Sequence, residues 1–149
     1  MGKSCFFIGH RDADSDLLLH LNREVVRHIN ELGVTEFIVG GYGAFDRMAA
    51  HAVINAKTVY SDIILTLLLP YHPSERPIEL PNGFDGSFYP PGMETIPRRF
   101  AIVRANRYLI DHVDYLIAFA WRPGSNAKAL TDYAQNKAVE ITNIATSCL

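Results

Sequence analysis

Gly40, Gly41 and Gly43 fall within four positions, directly after the apolar run Phe37-Ile38-Val39 and shortly before Asp46 and an alanine-rich stretch, Met48-Ala49-Ala50-His51-Ala52. Strand, glycine turn and helix in that order can make an anion site. Glycines let backbone N–H groups approach a ligand closely, and a helix start presents unpaired donors at the positive end of its dipole. The spacing is neither G-x-G-x-x-G nor the P-loop G-x-x-x-x-G-K-[ST], so a tight strand-to-helix turn explains these glycines equally well. Asp46, three residues past Gly43, either caps the helix or accepts hydrogen bonds from a sugar or base.

Three other stretches bring chemistry to the ends of apolar runs. Gly9-His10-Arg11 follows the first run, and a planar, permanently charged guanidinium suits a phosphate or carboxylate. Arg11 pairs with Asp12 or Asp14, or clamps an anion; its place directly after a strand favours the anion. His10 is an acid–base group or, more simply, a polar lining residue. A metal site from His10, Asp12 and Asp14 would lack a second shell, and no metal is expected. Pro70-Tyr71 follows the third run, with Tyr71 either stacking on a base or closing the sheet edge. Arg122-Pro123-Gly124-Ser125-Asn126 is a second candidate anion loop, in which Gly124 permits close approach, Ser125 offers a hydroxyl and a helix start follows. Arg104 and Asn106, on a helix rich in arginine, complete the set, with at most one or two of the basic residues pointing inward.

These stretches need a scaffold. Residues 4–9, 34–39, 63–69, 114–120 and 139–144 read as buried strands, and the third is apolar on both alternating faces, as a helix-covered parallel strand would be. Leu18, Leu21, Val25, Ile29 and Leu32 recur at three and four, the stripe of an amphipathic helix. Further helices are expected over about 44–58, from Arg98 to His112, and along Ala127, Leu130, Ala134 and Ala138. Strand–helix alternation predicts an α/β fold, a three-layer Rossmann-like domain with a mainly parallel central sheet. Ligands in such sheets sit beyond the carboxyl ends of the strands, where loops 9–14, 40–46, 70–76 and 121–126 would meet. Residues 70–97 hold most of the prolines and no periodicity, and read as an irregular insertion or lid, with Phe88-Tyr89 a short edge strand.

The 149 residues suggest one domain, 1–149. At 48% hydrophobic and 20% charged the composition is that of a soluble globular chain. The formal net charge of −2 argues against a nucleic-acid partner held by a basic face. Of the two cysteines, Cys5 falls inside the first apolar run and Cys148 near the end, with no metal-finger spacing and no disulfide framework. No apolar stretch is long enough to span a bilayer, and a cytoplasmic location is the default expectation.

Taken in order, several pieces resemble the SLOG superfamily, named for the DNA-processing Smf/DprA proteins and the lonely-guy phosphoribohydrolases, and are most similar to its small YpsA-like members. They are Phe7-Ile8-Gly9-His10-Arg11, Val39-Gly40-Gly41-Tyr42-Gly43-Ala44-Phe45-Asp46-Arg47-Met48-Ala49, Leu69-Pro70-Tyr71, Arg104-Ala105-Asn106-Arg107-Tyr108-Leu109-Ile110 with Asp114-Tyr115-Leu116-Ile117-Ala118, and Pro123-Gly124-Ser125-Asn126. The resemblance implies a Rossmann-like fold that binds a nucleotide or nucleotide-derived ligand, ADP-ribose- or NAD-like, and an assembly of two or more copies. It implies no cofactor beyond a bound nucleotide or phosphate. The phosphoribohydrolase branch carries P-G-G-x-G-T-x-x-E in the last loop. Here Pro123-Gly124-Ser125-Asn126-Ala127-Lys128-Ala129-Leu130 lacks the later glycines, and Leu130 stands where the glutamate would be. The first expectation is therefore a binding or sensor domain. Its alternative is a nucleotide N-glycosidic hydrolase with Asp46 as the remaining carboxylate, and its third form is a DprA-like single-stranded DNA-binding domain.

Overall fold

The computed structural model describes residues 2–147; Met1, Leu149 and the second cysteine, Cys148, lie outside them. Six strands form one sheet: β1 (Lys3–Gly9), β2 (Val34–Val39), β3 (Ile64–Leu68), β4 (Gly86–Phe88), β5 (Tyr115–Phe119) and β6 (Glu140–Asn143). They lie in the order β4-β3-β2-β1-β5-β6, and every pairing is parallel. Helices α1 (Leu17–Asn30) and α2 (Ala44–Lys57) pack together, as do α3 (Ala101–His112) and α4 (Asn126–Ala134); a short α5 (Ile144–Ser147) follows β6.

The period-two alternation of β1 divides the core between the two faces of the sheet. Cys5 and Phe7 are buried with Leu21, Val25, Phe37, Phe45, Ala49 and Val53, the side of α1 and α2. Phe6 and Ile8 are buried with Leu116, Ala105, Leu109, Leu130 and Ala134, the side of α3 and α4. Both faces are apolar and covered, as a parallel sheet requires, and the result is the expected three-layer Rossmann-like α/β arrangement.

The start of α1 carries no side-chain cap: its N-cap is Asp16, and the Asp14 carboxylate accepts the Asp16 N–H at 3.4 Å. The helix expected from Arg98 begins as a 3₁₀ turn, Arg98–Phe100, and becomes α-helical at Ala101, a common tightening of a helix end. Within 70–97 the edge strand expected at Phe88-Tyr89 forms as β4, set two residues earlier, with Thr66 opposite Gly86 and Leu68 opposite Phe88. Three residues are too few to show a period. Asp85 sets the junction instead: its Oδ2 accepts the Leu65 N–H and its own N–H donates to the Leu65 carbonyl, both at 2.8 Å.

Candidate functional site

Strand order turns back at β1, with β2, β3 and β4 on one side and β5 and β6 on the other. The connections leaving β1 and β5 therefore part in opposite directions and open a crevice at the carboxyl edge. A cleft of about 280 Å³ lies there. The β1 loop lines it with Gly9, His10, Arg11 and Asp12, and the β2 loop with Gly40, Tyr42 and Asp46. Leu68 and Pro70 come from the end of β3, Arg122, Ser125 and Asn126 from the β5 loop, and Ile102, Ala105 and Asn106 from α3. All four loops expected at this edge thus meet around one space.

His10 is 3% exposed. Its Nε2 accepts the backbone N–H of Trp121 at 3.1 Å and, more weakly, that of Arg122 at 3.4 Å. Accepting these bonds leaves Nε2 without a proton and puts the ring's hydrogen on Nδ1. Burial, then the Arg122 charge, hold its pKa below the usual histidine value, with Asp12 opposing. His10 is thus a neutral strut that joins the β1 and β5 loops across the crevice, with its basic lone pair engaged.

Gly43 sits at φ +117°, and a Cβ there would come within 2.7 Å of the Arg11 backbone. This close passage lets the Ala44 N–H donate to the Arg11 carbonyl at 2.8 Å. The Tyr42 N–H donates to Asp46 Oδ2 at 3.0 Å. Two amides of the glycine turn are therefore engaged within the protein, and Asp46 does fold back onto its own helix start. Asp46 nevertheless faces the cleft, and burial raises its pKa from 3.8 to about 6, against the Tyr42 hydrogen bond and the charges of Arg11 and Arg47. A carboxyl group that titrates near neutrality can give or take a proton.

Neither acid that could have neutralised Arg11 does so. Asp12 pairs with Arg122, whose Nη2 lies 3.1 and 3.2 Å from its two oxygens, and this contact lowers the Asp12 pKa. Among the described residues Arg11 forms no ion pair. Asn106 likewise makes no side-chain hydrogen bond within the protein among the described residues, so a guanidinium and an amide line the cleft without protein partners. Ser125 Oγ is engaged within the protein, accepting the Lys128 N–H at 3.1 Å as the cap of α4 and donating to the Arg122 carbonyl at 2.8 Å.

The remaining expected residues lie elsewhere. Gly41, Gly43 and Gly124 shape turns but do not line the cleft. Arg104 opens onto a separate depression with Arg107, Tyr108 and Tyr133. Tyr71 lines a third depression with His72 and Tyr89, and the guanidinium carbons of Arg76 and Arg98 lie 4.4 and 5.2 Å from its ring centre. Counted from Pro123, the ninth position of the phosphoribohydrolase motif is Thr131 and not Leu130; Thr131 is buried with its hydroxyl on the Ala127 carbonyl, and Leu130 is buried against the cleft. Sequence reasoning overlooked Asn143, whose side chain brackets the backbone of Ala120: Nδ2 donates to its carbonyl at 2.9 Å and Oδ1 accepts its N–H at 3.3 Å. An asparagine closing a strand gives no signal of this role. Among the described residues no three His, Cys, Asp or Glu side chains gather to hold a metal, and no helix is long and apolar enough to cross a membrane.

Fold and cleft together define a Rossmann-like α/β unit with a crevice of mixed polar and apolar lining at its switch point. No protein-family model matches the chain, and no curated protein matches it by sequence. Among solved structures it is similar to DNA processing protein A from Helicobacter pylori, at 16% identity and a TM-score of 0.56, over 89% of this chain and 62% of that one. The chain thus spans under two thirds of that protein, and the likeness is one of fold. That protein is described as binding single-stranded DNA. The expectation that nucleic acid is an improbable partner is corrected accordingly. A net charge of −2 averages over the whole surface, whereas residues 97–110 hold Arg98, Arg99, Arg104 and Arg107 and no acid.

Proposed function

We propose that the cleft binds a nucleotide unit, with its phosphate on Arg11 and its sugar near Asn106 and Asp46. The observation that carries this reading is the Arg11 guanidinium, lining a crevice at the switch point while both neighbouring acids leave it unneutralised. An exposed guanidinium at a cleft mouth, held in no ion pair by the described residues, can take a phosphate through two parallel hydrogen bonds. The ordered motifs support a place for the chain beside the small YpsA-like proteins, with one domain over 1–149 and a cytoplasmic setting.

A second reading, in which the nucleotide belongs to a single strand of DNA, has two specific supports. One is the fold shared with a single-stranded DNA-binding protein. The other is α3, which reaches from the cleft at Asn106 to the exposed Arg104 and Arg107 and could carry a phosphate backbone onward.

Thermal shift and calorimetry with AMP, ADP-ribose, NAD and ribose 5-phosphate, beside anisotropy with a short oligothymidylate at low salt, test both. Stabilisation by nucleotides that Arg11→Ala abolishes is the expected result. If the strand is the ligand, Arg104→Ala/Arg107→Ala weakens the oligonucleotide and flattens its salt dependence while sparing AMP. Absence of binding by every probe at millimolar concentration would end the nucleotide reading.

A further inference from the structure

Trp121 is the single tryptophan of the chain and stands 53% exposed, next in sequence to Arg122, which lines the cleft. Large aromatic residues are well buried on average, so this one needs a reason. It is not a loose side chain. Its backbone N–H is tied to His10 Nε2 at 3.1 Å, and the buried His10 ring meets it edge-on, with centroids 5.5 Å apart at 79°. The Arg122 guanidinium carbon lies 5.1 Å from its ring centre, and Arg122 is itself held by Asp12. His10 and Arg122 both line the cleft. The indole is therefore braced on two sides by cleft residues while much of its surface stays open to solvent.

We propose that Trp121 is a stacking platform for the nucleobase of the ligand, a reading that rests on the phosphate-on-Arg11 assignment. A planar base would cover the open part of the indole while the guanidinium backs it, adding a cation–π contact to the stack. Tyr71, the other aromatic candidate at this edge, already has two guanidinium groups over its ring. Because every base presents a π face, stacking here would discriminate weakly among bases but strongly between ligands with and without one.

The full chain is titrated with AMP, ribose 5-phosphate and a short oligothymidylate, following tryptophan emission and calorimetric affinity. AMP should change the emission and ribose 5-phosphate should not. Trp121→Ala should weaken AMP by about tenfold, within the range of one base–aromatic stack, and leave ribose 5-phosphate unchanged; Trp121→Phe should retain most of the affinity. A base bound through a strand gives the emission change with the oligonucleotide and little with AMP. If AMP and ribose 5-phosphate bind equally, without an emission change and without loss in Trp121→Ala, the platform is overturned and the phosphate site stands. If no probe binds, both assignments fall. Emission that shifts on dilution of the free protein assigns the indole to self-contact and also overturns the proposal.

Discussion

Asp46 shows how one side chain can serve a helix start and still line an open cleft. It accepts the Tyr42 N–H, yet burial raises its pKa to about 6. The folded carboxyl thus holds its proton more tightly than the unfolded one at 3.8. Its contribution is present below the unfolded value and is lost as pH rises through about 6, so at neutral pH the charged group is a burden on the fold. Asp46→Asn keeps an acceptor for Tyr42 and removes the charge. It should raise stability at pH 7.5 by on the order of 1–2 kcal/mol, with the gain fading towards pH 4. A less stable variant at pH 7.5 in urea denaturation would show that the charged hydrogen bond outweighs burial. The same variant addresses the hydrolase alternative: release of a base from nucleoside monophosphates or NAD that persists undiminished in Asp46→Asn removes this carboxylate from the reaction. His10 teaches the complementary point. It lies in the cleft beside Arg11, but with Nε2 accepting two backbone N–H groups it positions loops and is not a free base.

Among the elements, the contact of α2 with the end of β1 governs the geometry of the cleft. Gly9 closes β1 under the Phe45 ring, and a Cβ there would lie 2.2 Å from a ring carbon. Phe45 is fully buried in the first turn of α2, between Phe7 and Phe119 with centroids 6.4 and 6.3 Å away. Neither the ring nor the strand has space to yield. Gly9→Ala should therefore destabilise the fold by about 1–3 kcal/mol, the usual range for overpacking. A Phe45→Leu change should recover part of that loss, seen as non-additivity in a double-mutant cycle by urea denaturation. Strictly additive effects would mean that the ring and the glycine are not coupled. This contact also explains part of the glycine pattern in the sequence: Gly9 admits a ring and Gly43 admits the Arg11 backbone. Their first duty is packing strand to helix, and that packing fixes the course of the Arg11 backbone.

For the molecule as a whole, acid should act through its buried histidines. His28 is fully buried; its Nδ1 lies 2.7 Å from the Glu24 carbonyl, which must accept the Nδ1 hydrogen, and its Nε2 has no partner. Burial first, then Arg27, keep its pKa below 6.5, and His10 is lowered in the same sense. Below pH 6.5 the unfolded chain takes up protons that the fold refuses, so stability is present above that value and declines as pH falls towards the lower folded values. Asp46 works in the opposite direction between about 6 and 3.8, which makes Asp46→Asn the clean background. In that variant Tm should fall steadily from pH 7 to pH 5, and a flat profile would contradict the assignment of neutral histidines. What the sequence by itself determined is the layered α/β architecture and the gathering of loops at one sheet edge, because apolar periodicity encodes which face of each element is buried. Strand order, and hence the crevice between β1 and β5, is set by pairings between distant segments that no local period records. The same holds for the choice of Arg122 by Asp12, 110 residues away, for the bracing of Ala120 by Asn143, and for the β1 loop tied to Trp121 through His10. Composition could not reveal the basic run of α3 as a surface, since net charge sums what only tertiary structure separates. Periodicity specifies faces, whereas partners and the open edge of a cleft are decided when the chain closes on itself.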